Sequence, residues 1–187
     1  MSLRFLQWLF VALLLSSGSA FADPYQDTIK VFRNAGKSGA FFGTAHGYAV
    51  FPTIGKGGLV VGAAHGNGHV YRGGKYIGKT SVTQLSVGLQ AGGQAYSQII
   101  FFEDARALKE FTSGNFEFGA EASAVAITAA AGASAGTTGT SAGASTGKND
   151  AKTAGSYKGG MAVFTVAKGG LMYEAAISGQ KFKYRAR

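Results

Sequence analysis

Cysteine is absent from this 187-residue chain. That excludes disulfide staples, thiolate metal sites, cysteine nucleophiles and a lipid-modified cysteine at a processed N-terminus. Proline is scarce, with 2 residues against 30 glycines. The glycine excess therefore speaks for β-turns, bulges and tight strand packing rather than for collagen or a proline-rich linker. Acidic residues are the scarce sign of charge: 9 Asp and Glu stand against 18 Lys and Arg, a formal net charge of +9. Such a chain favours anionic partners, whether lipid headgroups, nucleic acid or an acidic protein. Hydrophobic residues make up 46% and include 14 Phe, enough to build a core and to exclude disorder over most of the chain. The length fits one domain.

Long apolar runs are also missing beyond the N-terminus. Phe5 to Leu15 is apolar except for Gln7, preceded by Arg4 and followed by Ser16, Ser17 and Gly18. That run has about half the length of a bilayer-spanning helix. Ala20 and Ala22 supply the small residues a signal peptidase reads, so residues 1–22 are expected to be a cleaved signal peptide, with the mature chain starting at Asp23. Losing Arg4 with the leader leaves a basic excess of eight. The expected location is periplasmic or secreted.

Asp23-Pro24 is a helix start, with Tyr25, Ile29 and Phe32 at helical spacing and Gly36 as a stop. Short apolar runs punctuated by glycine follow: Gly47 to Phe51, Leu59 to Ala64, His69 to Arg72, Val82 to Leu89 and Tyr96 to Phe102. Gly66-Asn67-Gly68 reads as a hairpin turn between two of them. Asp104 to Phe111 has a second helical pattern, with Ala105, Leu108 and Phe111 on one face. Strands are expected again from Phe116, over Met161 to Lys168, Leu171 to Ile177 and Gln180 to Tyr184. Lys56-Gly57-Gly58-Leu59 is echoed by Lys168-Gly169-Gly170-Leu171, though two copies do not make a solenoid. Residues 122–147 carry no charge and are dominated by Ala, Gly, Ser and Thr, a low-complexity segment within the domain. The whole predicts one α+β domain over 23–187: an antiparallel β-rich, sandwich- or barrel-like body with an N-terminal and a mid-chain helix.

Three motifs imitate chemistry. Gly73-Gly74-Lys75-Tyr76-Ile77-Gly78-Lys79-Thr80 matches a phosphate-binding loop by letter, but its pattern works only where the glycines open a helix, and the residues after Thr80 alternate as a strand. Ser134, Ser141 and Ser145 sit in Gly-x-Ser-x-Gly frames, all inside the low-complexity segment and all after the last histidine, so they reflect composition rather than a nucleophile elbow. His65 and His69 flank the expected turn without Cys or a nearby carboxylate, which falls short of a zinc site. No catalytic residue, cofactor or metal ligand is assigned, and the chain is read as a non-enzyme.

The basic residues are more informative. Lys181, Lys183, Arg185 and Arg187 alternate with Phe182 and Tyr184, which on a strand places the cations on one face and the aromatics on the other. Lys75 and Lys79 lie in a separate glycine-bounded segment beside Arg72. These seven are the candidate contacts to anionic lipid headgroups, against the alternative of a merely solvated face.

Ala45-His46-Gly47-Tyr48-Ala49-Val50-Phe51-Pro52, then Gly55-Lys56-Gly57-Gly58 and Gly66-Asn67-Gly68, resemble the SYLF domain family of lipid-binding proteins. The similarity continues through Ser86 to Ser97, Phe101-Phe102, Phe118 to Ser123 and Lys168 to Leu171, covering about Gln26 to Tyr184 in family order. The family includes a yeast actin-patch protein and animal relatives whose domain binds phosphoinositides and, in yeast, actin filaments; its bacterial members are exported and implicated in phospholipid binding. Without cysteine, this chain departs from the lipid-anchored bacterial members. The resemblance implies non-enzymatic binding of anionic phospholipid, peripheral on a membrane and without a nucleic-acid partner. A structural module binding an envelope protein or polymer is the alternative.

Overall fold

The computed structural model describes residues 22–58, 61–87, 93–119, 122, 124–127, 156–168 and 177–187. Helix α1 (Pro24–Asn34) starts where Asp23 accepts a hydrogen bond from the Tyr25 amide at 3.0 Å, satisfying one of the free N–H groups of the first turn. Past the break at Ala35 the chain stays helical, because the expected stop Gly36 opens a four-residue helix α2 (Gly36–Gly39) that leads into a 3-10 turn (Ala40–Gly43). The buried Ser38 hydroxyl donates to the Phe32 carbonyl at 2.6 Å, which ties α2 back onto the end of α1.

The strands are β1 (Gly47–Gly58), β2 (Val61–Arg72), β3 (Lys75–Val87), β4 (Gln94–Phe102), β5 (Phe116–Glu117), β6 (Val125–Ile127), β7 (Met161–Lys168) and β8 (Lys181–Ala186). Helix α3 (Ala105–Phe111) connects β4 to β5, capped by Asp104, whose carboxylate accepts from the Ala107 amide at 2.8 Å. All eight strands form one sheet in the order β5-β8-β3-β2-β1-β4-β7-β6. Seven pair antiparallel in a curled half-barrel, and β6 adds to β7 in parallel. The expected α+β class is therefore observed, on the barrel-like side.

Strand parity builds a core on each face. The inner face gathers Ala49, Phe51, Ile54, Val70, Val82, Ile100, Phe102, Val163 and Phe182, closed by Leu108 and Phe111 of α3. The outer face presents Tyr48, Val50, Tyr71, Ile99, Phe101 and Phe164 to Ile29 and Phe32 of α1, with Phe41 and Phe42 of the 3-10 turn packed at its edge. Phe51 and Ile54 both point inward although they stand three positions apart, an odd offset that regular alternation would send to opposite faces. A bulge around Pro52 reconciles this: the register shifts there against both β2 and β4, and Pro52 has no N–H to lose from the ladder.

One sequence expectation is overturned. Gly66-Asn67-Gly68 is not a turn but the middle of β2, paired with Thr53 and Ile54 on one side and with Thr80 to Val82 on the other. Its glycines serve close packing. A Cβ on Gly68 would stand 2.6 Å from the Phe51 ring, and one on Gly66 2.7 Å from the Thr53 carbonyl oxygen. The hairpin turn lies instead at Gly73-Gly74, with φ of +54° and +76°, the consecutive left-handed pair of a two-residue turn.

Several expectations fall wholly or mostly outside the described residues: the leader over 1–22, of which only Ala22 is described; the low-complexity segment 122–147 from residue 128 onward, with its three serines; the strand Leu171 to Ile177, of which only Ile177 is described; and the second Lys-Gly-Gly-Leu copy beyond Lys168. No helix among the described residues is long and apolar enough to cross a membrane.

Candidate functional site

Helix α1 and the 3-10 turn cover only one end of the outer face. Beyond them three neighbouring strands stand open. β2 contributes Val61, Ala63, His65 and Asn67; β3 contributes Lys79, Ser81, Thr83 and Leu85; β8 contributes Lys181, Lys183 and Arg185. The registers line these up in rows. His69, Lys79 and Arg185 form one, Asn67, Ser81 and Lys183 the next, then His65, Thr83 and Lys181, and finally Ala63 with Leu85. The face thus grades from cationic through polar to apolar.

The expected alternation on β8 is observed: Phe182 is buried in the inner core while Lys181, Lys183 and Arg185 are exposed. Lys181 is partly neutralised by Glu117 at 3.5 Å. Among the described residues, Lys79, Lys183 and Arg185 have no ion pair. Lys79 and Arg185 are direct cross-strand partners, an arrangement that repels.

The other three cations gather at the hairpin end. Arg72 and Lys75 flank the Gly73-Gly74 turn. Arg187 follows β8, its amide donating to the Ile77 carbonyl at 3.1 Å and its guanidinium 6.0 Å from the centre of the Tyr76 ring. The structure therefore divides the seven predicted residues into a face group of four and a hairpin group of three, joined along β8.

Two residues of this face escaped the sequence reading. Leu85 is 79% exposed and Val61 63% exposed. They are diagonal neighbours, since Leu85 pairs with Ala63 and Val61 with Val87. The inversion is caused by parity. Val82 is fixed in the inner core, and the ring of Tyr184 lies so close to Gly78 that only glycine fits beneath it. This points Gln84 inward, where its amide donates to the Ser178 carbonyl at 2.9 Å, and Leu85 outward. Further inside, Gln98 and Gln180 exchange amide hydrogen bonds at 2.9 and 3.1 Å, and Gln180 also donates to the Tyr96 hydroxyl at 3.0 Å. A strand that buries glutamine and exposes leucine is the signal the sequence carried, readable only once the facing strand was known.

The phosphate-loop imitation resolves as a turn followed by strand β3, with no helix to present its N-terminus. His65 and His69 lie four apart on one strand rather than across a hairpin. His69 stacks on Tyr25, and burial holds its pKa below the ordinary value, opposed by Asp23 and assisted by Lys79. Among the described residues no three His, Asp or Glu side chains cluster as metal ligands.

Comparison with known proteins places these elements in context. Residues 83–187, from within β3 through β8, match the model of the family described as Ysc84, Las17-binding protein actin regulator. The chain is also 30% identical over 157 residues to beta cell expansion factor A of Aeromonas veronii, an alignment spanning 82% of this chain. The chain accounts for 51% of that relative's length, about half.

Proposed function

The chain belongs to the Ysc84, or SYLF, family, and from that premise we propose that it is an exported, non-enzymatic module that docks peripherally on anionic phospholipid. The observation that carries this reading is the repelling pair Lys79 and Arg185, with Lys183 beside them, held unneutralised on an open sheet face. Directly opposed like charges cost the free protein stability, and an anionic surface turns that cost into attraction. Each cation near such a surface contributes about 1 kcal/mol, so three supply a weak, salt-sensitive affinity of about 3 kcal/mol. Arg72, Lys75 and Arg187 extend the positive field along the hairpin end, and Lys181 contributes less because Glu117 holds it. The family's description as an actin regulator concerns relatives that meet actin; a chain exported through its leader meets envelope lipid first.

Vesicle flotation tests the proposal. The protein should float with phosphatidylglycerol-containing vesicles and not with pure phosphatidylcholine. The triple variant Lys79→Glu, Lys183→Glu and Arg185→Glu should lose that binding while keeping its circular dichroism spectrum. Absence of the wild-type protein from both vesicle types would favour docking on an envelope protein or polymer instead.

A further inference from the structure

The open face ends in an apolar tip: strand parity turns it outward, and no other described residue packs over it. Leu85 and Val61 are, with Val31 on α1, the large hydrophobic side chains that stand exposed among the described residues. They sit on the same face as Lys79, Lys183 and Arg185, and Ala63 fills the position opposite Leu85. Gly55 and Gly57 of β1, exposed and paired with His65 and Ala63, have open space where a side chain would be. Packing does not demand glycine there, and the result is a bare, flat approach beside the tip.

We infer that Leu85 and Val61 are the apolar anchor of this face, entering the headgroup–acyl boundary of a lipid bilayer while the cations of β3 and β8 hold its phosphates. The inference rests on the docking reading above and deepens it. Its occupant is a lipid surface because the face offers both halves of what such a surface requires, cations and aliphatic groups that have no partner among the described residues. Geometry fixes the orientation. Lys79 and Leu85 are six residues apart on β3, about 20 Å at the rise of a strand. Both can touch one bilayer only when the sheet docks face-on, with its strands lying along the membrane plane. Cations alone would give binding that vanishes with salt, whereas an inserted leucine gives a component that salt does not screen.

The absence of cysteine makes the test clean, since a single introduced thiol is unique in the chain. Leu85→Cys would carry an environment-sensitive nitrobenzoxadiazole label, and Lys109→Cys, on α3 away from this face, would serve as control. With phosphatidylglycerol vesicles the label at 85 should brighten and shift to the blue, while the label at 109 should not change. Unlabelled Leu85→Thr with Val61→Thr, which keeps strand-forming side chains at exposed positions, should bind the same vesicles about tenfold more weakly, as expected for withdrawing part of two aliphatic side chains from an apolar phase. It should also lose the residual binding that wild type keeps at high salt. A protein that floats while its label at 85 stays in water, and whose double threonine variant binds as wild type, would overturn the anchor and leave cationic docking standing. Failure of the wild type to float would overturn both. A spectral shift that grows with protein concentration without vesicles would assign the tip to a second copy of the chain and overturn the lipid assignment.

Discussion

Tyr25 of α1 lies flat on His69 of β2, ring centroids 3.5 Å apart and planes 4° from parallel. This stack fastens the first helix at the border between the covered and open parts of the outer face. Burial lowers the His69 pKa from 6.5, Asp23 opposing and Lys79 assisting. The folded chain therefore binds fewer protons here than the unfolded chain does, so this contribution to stability is present above the unfolded value and is lost as pH falls through the folded one. Thermal melts should show wild type losing stability relative to His69→Phe between about pH 7.5 and about pH 5. Parallel pH dependence of the two proteins would show that the histidine is not the group responsible.

Gly68 exists to let Phe51 fill the inner core. A methyl group there would meet the Phe51 ring at 2.6 Å and the Val50 carbonyl oxygen at 2.9 Å, in a region where neither can move freely. Gly68→Ala should cost about 1–3 kcal/mol, the range for overpacking a dense core. Gly55→Ala, with open space above it, should stay within about 0.5 kcal/mol of wild type. Urea titration of both variants checks the contrast, and equal midpoints would refute the packing role given to Gly68.

These glycines also mark what the sequence could and could not reveal. Both main helices were legible because each carries its own local evidence: Asp23 and Asp104 cap them, and Ile29, Phe32, Leu108 and Phe111 repeat at helical spacing. Strand existence was legible from alternation, and so was the split of β8 into Lys181, Lys183 and Arg185 outside and Phe182 inside. The Gly66-Asn67-Gly68 error had a different origin. A glycine required by a neighbouring strand's phenylalanine looks the same in one dimension as a glycine required by a turn, and only pairing with β1 tells them apart. For the same reason Lys79 could be named as a candidate but not matched to Arg185, because that contact spans 106 positions and is created by register. Leu85 was hidden more deeply, since an alternating strand does not disclose which of its two sets meets the core.

The Gln98–Gln180–Tyr96 cluster is the polar counterpart of this packing. Both amides are fully buried, and burial pushes the Tyr96 hydroxyl up to about 12 while the bond from Gln180 opposes it. Gln180→Ala strips partners from Gln98 and Tyr96 at once and should cost about 1–3 kcal/mol or more, the penalty for unsatisfied buried polar groups. Replacing both amides, Gln98→Met with Gln180→Met, should cost less than the two single changes added together, because the pair is removed as a unit. Strict additivity in denaturant melts would mean that the two amides do not depend on each other.

Arg185 carries the prediction with two opposite signs. Its Cα partner across the ladder is Lys79, a like charge on an exposed face. Arg185→Glu converts the repelling pair into an attracting one and should raise the stability of the free protein by about 0.2–1 kcal/mol, the scale of cross-strand charge pairs. The same change removes a cation from the proposed docking face and places an anion there, so vesicle binding should fall. Arg106→Glu on α3, away from this face, breaks the ion pair with Glu110 at 3.2 Å and should lower stability slightly while leaving flotation unchanged. A melting temperature that rises in Arg185→Glu while flotation on anionic vesicles drops would identify the Lys79–Arg185 pair as stability given up for binding. If both quantities fell together the change would simply have damaged the sheet edge. If flotation held while stability rose, the docking site for anionic lipid would lie elsewhere on the chain, first at the hairpin group of Arg72, Lys75 and Arg187.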